Sequence, residues 1–108
     1  MSRIFGKIEG GVSIWTVEFL ESRMDTIIKK LKLTEVSRCF HQFEPYGATG
    51  VILLAESHFA MHTYPENDLI YFDLFCCNPE FAKRTSEAAT LIKETFESKG
   101  IEWKADHL

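Results

Sequence analysis

An α+β fold, a mainly antiparallel sheet with two helices on one face, is predicted by three features of this sequence. Runs rich in β-branched and aromatic residues recur through the middle of the chain, separated by Pro, Gly and Asn turn signals. Only two stretches carry apolar residues at helical spacing. The central runs also follow one another with no helix between them, which calls for hairpins rather than parallel crossovers. The 108 residues fit one domain, 1–108.

Taken in order, residues 1–10 carry two glycines and read as a loosely ordered lead-in. Gly11–Phe19 (GVSIWTVEF) reads as a first strand. From Glu21 the period changes: Met24, Ile27, Ile28 and Leu31 define an amphipathic helix, with Lys29, Lys30 and Lys32 near its end, where the helix dipole favours cations. Val36–Phe43 predicts a second strand, with Val36, Arg38, Phe40 and Gln42 on one face and Ser37, Cys39, His41 and Phe43 on the other. Pro45-Tyr46-Gly47 marks a turn. Gly50–Ala55 is continuously apolar, the pattern of a strand covered on both sides. Phe59–Tyr64 forms the next strand, ended by Pro65, and Asn67-Asp68 turns into Leu69–Cys77. Asn78-Pro79-Glu80 predicts a helix start. Phe81, Ala88, Ala89, Ile92 and Phe96 give that helix its apolar stripe, Gly100 its stop, and Ile101–Ala105 a final strand. Two helices cannot cover both faces of such a sheet. The other face carries aromatics, so the expected assembly is a two-layer sandwich paired sheet to sheet in a homodimer.

Composition narrows the function. With 45% hydrophobic and 26% charged residues, the chain is ordinary globular sequence. Its 12 Lys and Arg against 16 Asp and Glu leave a formal charge of −4 and no basic patch for a phosphate backbone, so nucleic acid is not an expected partner. No apolar run reaches the roughly 18–20 residues of a membrane helix, and the N-terminus lacks the apolar core of a signal peptide. A cytoplasmic protein is the expectation. The three cysteines include an adjacent pair, Cys76 and Cys77, and no CxxC spacing, so reduced thiols are expected, with neither a disulfide framework nor a metal site.

Between Gly47 and Cys77 the density of reactive side chains is high. Ser57 follows Glu56, precedes His58 and lies five positions before His62. No G-x-S-x-G elbow surrounds it, so a hydrolase triad is poorly supported. Taken singly, a serine at a bend, a histidine on a strand and a cysteine at a strand end are most often packing residues.

Taken together they resemble a family. AESHFAMHTYPE, preceded by FHQFEPYGATGV and followed by YFDLFCC, closely resembles the bacterial S-adenosylmethionine decarboxylase proenzymes. His41, Phe43, Pro45, Gly47, Thr49, Gly50, Glu56, Ser57, His58, His62, Thr63, Tyr64, Pro65, Glu66, Asp73, Phe75 and Cys77 all fall in step with that family's pattern. Tyr64 stands where tryptophan is commoner, and the N-terminal third departs from the pattern.

The resemblance implies a zymogen that cleaves itself between Glu56 and Ser57, giving a β chain (1–56) and an α chain (57–108). Ser57 would become a covalent pyruvoyl group, the cofactor, which forms a Schiff base with the substrate amine and acts as electron sink. His62 matches the processing histidine, suited to proton transfer near neutral pH. Cys77 matches the catalytic cysteine, a general acid that protonates the product carbanion. Phe43 and Tyr64 match positions that sandwich adenine, and Glu66 the carboxylate that accepts the ribose hydroxyls. His58 carries no assigned role. The implied activity is decarboxylation of S-adenosylmethionine for spermidine and other polyamine biosynthesis. Two alternatives stand beside it: an arginine or ornithine decarboxylase on the same scaffold, and an unprocessed homologue that binds a nucleoside or a partner subunit.

Overall fold

The structure is a computed structural model and describes residues 1–11 and 16–108. It comprises β1 (Ser2–Glu9), α1 (Val17–Lys30), β2 (Glu35–Gln42), β3 (Ala48–Leu54), β4 (Ser57–Tyr64), β5 (Leu69–Cys76), α2 (Thr85–Thr95) and β6 (Gly100–His107). The strands form one sheet in the order β2-β3-β4-β5-β1-β6, with every neighbouring pair antiparallel. The predicted α+β architecture is thus observed, and the strand and helix order matches once the first strand is moved.

That strand is the main correction. The lead-in at 1–10 is β1, lying inside the sheet between β5 and β6. Ile4 and Ile8 face the core, and Gly6 between them breaks the alternation that would have betrayed a strand. Its lack of a side chain has a use, because a methyl there would sit 2.0 Å from the Glu102 carbonyl oxygen. Of the predicted strand Gly11–Phe19, residues 12–15 lie outside the described residues, and Val17–Phe19 are helical. Thr16 explains the early start of α1. Its hydroxyl accepts from the Phe19 N–H at 3.3 Å, an N-cap that outweighs the β-propensity of Val17 and Phe19.

Both helices pack on one face, α1 over β2 and β3 and α2 over β1 and β6, and they touch each other. Leu20, Met24, Ile27 and Ile28 of α1, with Ala88, Ala89 and Ile92 of α2, close over Ile4, Ile8, Ile52, Phe59, Met61 and Leu74. Burying each large apolar side chain contributes about 1.5–3 kcal/mol. Asn78-Pro79-Glu80 starts a 3-10 turn, Pro79–Lys83, and not α2 itself. Phe81 in that turn is nevertheless buried with the predicted stripe. Helix α2 ends at Phe96 and Glu97, the latter with φ of 51°. Gly100 is therefore the first residue of β6 and not the helix stop.

Arg38 clamps α1 to the edge of the sheet. Its guanidinium donates to Glu21 at 2.8 Å and to Asp25 at 2.6 Å on α1, and to Glu35 on β2. The hydrogen bond from Arg38 holds the Glu35 carboxyl below its ordinary pKa of 4.5. Bonds to Glu35, then Asp25 and Glu21, push the guanidinium pKa up. A carboxylate with a depressed folded-state pKa adds stability above its unfolded value and loses it as pH falls through the folded one. Arg38→Leu is therefore expected to lower the melting temperature at neutral pH, by about 4 °C, with the deficit shrinking in acid as pH falls below the ordinary carboxyl value of 4.5. Paired thermal melts at the two pH values test this.

The opposite face of the sheet is open. Paired residues fall in rows across it: Ser37-Leu53-His58-Phe75-Arg3-Asp106, Cys39-Val51-Ala60-Asp73-Phe5-Lys104, and His41-Thr49-His62-Tyr71-Lys7-Glu102. Leu53 is 49% exposed and Tyr71 43%. The chain therefore covers β3 on one side only, through Ala48, Gly50, Ile52 and Leu54.

Candidate active site

The hairpin joining β3 to β4 turns on two residues, Ala55 and Glu56. Ala55 N–H donates to the Thr34 carbonyl at 2.9 Å, which ties the turn to the connection just before β2. Glu56 takes a φ of 60°. For a residue with a side chain this left-handed conformation costs about 1–2 kcal/mol. Strain of this kind persists only where the surroundings enforce it, and it concentrates at functional sites. Ser57, the first residue of β4, hangs directly from that strained unit.

Cys77 follows the last residue of β5, beside the turn. Its N–H donates to Ser57 Oγ at 3.0 Å, and its Sγ donates to Glu56 Oε2 at 3.4 Å. One cysteine thus holds both residues of the 56–57 peptide. Ser57 and Cys77 are half-buried and Glu56 is exposed, so the cluster is anchored yet accessible. Cys76 is buried on the helix face and Cys39 is exposed on edge strand β2. Among the described residues, neither thiol makes a hydrogen bond to Glu56, Ser57 or Cys77, although the register sets Cys76 across from Ser57.

His62, Phe43, Tyr64 and Glu66 gather at the other end of the sheet. His62 lies on the open face, its Nδ1 3.2 Å from Thr49 Oγ1. Five is an odd number, so His62 and Ser57 point to opposite faces of β4, and five residues of strand separate them by about 17 Å. The chain does not bring its own His62 to its own Ser57. Phe43 and Tyr64 flank Gly47: Phe43 N–H donates to the Gly47 carbonyl at 2.8 Å, and a methyl on Gly47 would lie 3.5 Å from the Pro65 ring. Both aromatic rings are exposed, two strand spacings or about 10 Å apart. His41 meets Phe43 edge-on at 4.6 Å, and Tyr71 meets Tyr64 at 5.4 Å. Glu66 projects from the exposed 3-10 turn Pro65–Asn67 next to Tyr64. Gln42 braces this end, accepting from Val17 N–H at 2.8 Å and donating to the Gly47 carbonyl at 2.8 Å.

Sequence reasoning left one group without a place. His58, next to Ser57, stacks on Phe75 with ring centroids 5.5 Å apart and sets its Nε2 3.5 Å from Asp73 Oδ2. The same oxygen lies 4.0 Å from Arg3, which in turn pairs with Asp106 at 3.3 Å. The other oxygen, Asp73 Oδ1, is buried and has no hydrogen-bond partner among the described residues. The signal was in the strand alternation: His58, Phe75 and Asp73 all have open-face parity.

These features define a two-layer α+β sandwich whose candidate site residues sit at both ends of an uncovered sheet, with a strained turn ahead of a serine. The crystal structure of the adenosylmethionine decarboxylase from Aquifex aeolicus has this fold. It superimposes with a TM-score of 0.83 at 32% identity, covering 97% of this chain and 87% of that one. The model of the S-adenosylmethionine decarboxylase family matches residues 12–106, and the chain belongs to that family. Among its relatives, the S-adenosylmethionine decarboxylase proenzyme of Sulfurihydrogenibium sp. (strain YO3AOP1) is 39% identical over 82% of this chain and 65% of its own length. The proenzyme of Archaeoglobus fulgidus is 37% identical over 73% of this chain and 69% of its own length. The match thus spans about two thirds of these relatives. Among the described residues, no helix is long and apolar enough to cross a membrane.

Proposed function

We propose that this chain is a proenzyme that cleaves itself between Glu56 and Ser57, into 1–56 and 57–108, and then decarboxylates S-adenosylmethionine. The observation that carries this reading is the left-handed Glu56 immediately before a serine whose Oγ is fixed by the Cys77 N–H. That bond occupies a lone pair of Oγ and leaves the hydroxyl proton free to depart. Oγ attacks the Glu56 carbonyl carbon, the C–N bond breaks, and the proton passes to the Ser57 nitrogen, leaving an ester. Removal of the Ser57 α-proton then expels Glu56 as a carboxylate that keeps the serine oxygen. The dehydroalanine left on residue 57 takes up water and loses ammonia, which gives the pyruvoyl group.

The residues present fit that group, since its precursor, Ser57, lies beside a thiol. Once formed, its ketone supplies the electrophile that holds the substrate amine and accepts the electron pair released with carbon dioxide. Cys77 supplies the proton that replaces the lost carboxylate. Phe43 and Tyr64 are spaced so that a flat ring between them lies within the centroid distance of about 4.5–7 Å that aromatic pairs adopt. Glu66 accepts the ribose hydroxyls at the slot's edge. This slot supports a nucleoside substrate over arginine or ornithine, neither of which has a ring to fill it.

One chain does not complete this site. Seven residues of strand put Tyr64 about 24 Å from Ser57, farther than a nucleoside carrying a methionine chain extends. A second copy packed on the open face with antiparallel strands would bring its own slot and His62 to the end of the sheet where Ser57 and Cys77 lie. The apolar side chains of the open face and the orphaned Asp73 Oδ1 support such a cover, because a buried acceptor without a donor is destabilising.

Denaturing mass spectrometry tests the processing step. Two fragments split before Ser57 are expected, the 57–108 fragment blocked at its N-terminus. Labelled carbon dioxide should be released from S-adenosylmethionine and not from arginine or ornithine. A chain that stays whole on prolonged incubation contradicts the reading.

A further inference from the structure

Cys77 lies beyond the last paired residue of β5, so the sheet ladder does not fix it. What fixes it is the scissile peptide itself. The Cys77 N–H is bonded to Ser57 Oγ at 3.0 Å and the Cys77 thiol to Glu56 Oε2 at 3.4 Å. Glu56 makes this contact from a left-handed conformation, with φ of 60°, in a turn closed on both sides by strands.

We propose that Glu56 is a positioning residue for Cys77, whose carboxylate keeps the thiol engaged while the 56–57 bond is intact and surrenders it when that bond is cut. This rests on the self-cleavage reading, and the chemistry of that cleavage dismantles both contacts. The oxygen that accepts the Cys77 N–H leaves residue 57, because elimination transfers it to the new Glu56 carboxylate. Glu56 becomes a chain end, free of the turn that enforced its conformation, and its side chain is no longer aimed at the sulfur. Bond cleavage thus converts a tethered cysteine into one available to substrate. The proton donor is freed by the same event that creates the electrophile beside it.

The test uses full-length chain held uncut by Ser57→Ala and compares it with Glu56→Gln and Glu56→Asp added to that background. Iodoacetamide labelling of Cys77, followed by fragment mass spectrometry, reads the contact directly, since alkylation requires the sulfur to leave it. Loss of the carboxylate is expected to speed labelling of Cys77 about tenfold, the scale of one hydrogen bond to a charged group. Glu56→Asp, one carbon shorter, should behave like Glu56→Gln. Exposed Cys39 is the internal reference and should not change. Circular dichroism identifies any variant that fails to fold, in which case the other decides. Equal labelling of Cys77 with and without the Glu56 carboxylate overturns the proposal. In the native chain, labelling should rise in step with cleavage; a constant rate across maturation also overturns it. A native chain that never cleaves removes the self-cleavage reading, while the uncut variants still decide whether Glu56 holds the thiol.

Discussion

Ser57→Ala is expected to leave one uncut chain of 108 residues with no decarboxylase activity. The substitution removes the hydroxyl that the proposed reaction uses to attack the Glu56 carbonyl. Ser57 Oγ is within hydrogen-bonding distance of the Cys77 N–H at 3.0 Å, and the methyl that replaces the hydroxyl has no lone pair. Folding should survive, because Ser57 is half-buried in the first position of β4 and one hydrogen bond there is worth about 1 kcal/mol. Mass spectrometry of the denatured protein should therefore give one mass, and thermal unfolding should remain a single transition. A chain still cut before residue 57 would place the nucleophile elsewhere.

His62→Ala alone should stay uncut, and so should Ser57→Ala alone. Produced together, the two should give a protein in which the His62→Ala chain is cleaved. In the mixed dimer that chain supplies Ser57 and Cys77, and the Ser57→Ala chain supplies His62, Phe43, Tyr64 and Glu66. One of the two sites is then complete. An odd spacing puts His62 on the opposite face of β4 from Ser57, about 17 Å along the strand, so proton transfer within one chain is out of reach. Cleavage of the His62→Ala chain by itself, or its absence from the mixture, contradicts a site built from two copies. Differently tagged chains make the two outcomes readable from their masses.

Much of this was legible in the sequence, for identifiable reasons. Strands β2 to β5 announce themselves by their β-branched and aromatic content, with Pro45 and Gly47 marking one turn and Pro65 and Asn67 another, and α1 and α2 because their apolar stripes keep a strict period. β1 did not, since Gly6 sits where an apolar residue would have continued the alternation of Ile4 and Ile8. Val17 and Phe19 favoured a strand locally, and the Thr16 cap overrode them. The motif brought Glu56, Ser57 and Cys77 to attention, but spacing along the chain says nothing about distance across a sheet. That Cys77 lies beside Ser57 depends on β4 and β5 being adjacent and antiparallel. That His62 lies far from Ser57 depends on both belonging to one straight strand. His58 and Asp73 escaped because a histidine and a carboxylate fifteen positions apart form a pair only once the register is known.

The strand order has a mechanical consequence. A cut after Glu56 assigns β1, β2 and β3 to one product and β4, β5 and β6 to the other. Across the sheet those strands alternate in ownership: β2 and β3, then β4 and β5, then β1, then β6. The first product's β1 is threaded between two strands of the second, like a finger held in a closed hand. Pulling the pieces apart would require unzipping β3 from β4 and β1 from both its neighbours while also stripping two helices from a shared core. The severed protein should stay associated on dilution and separate only when it unfolds. A chain arranged in this way can lose a peptide bond in its interior without losing its shape.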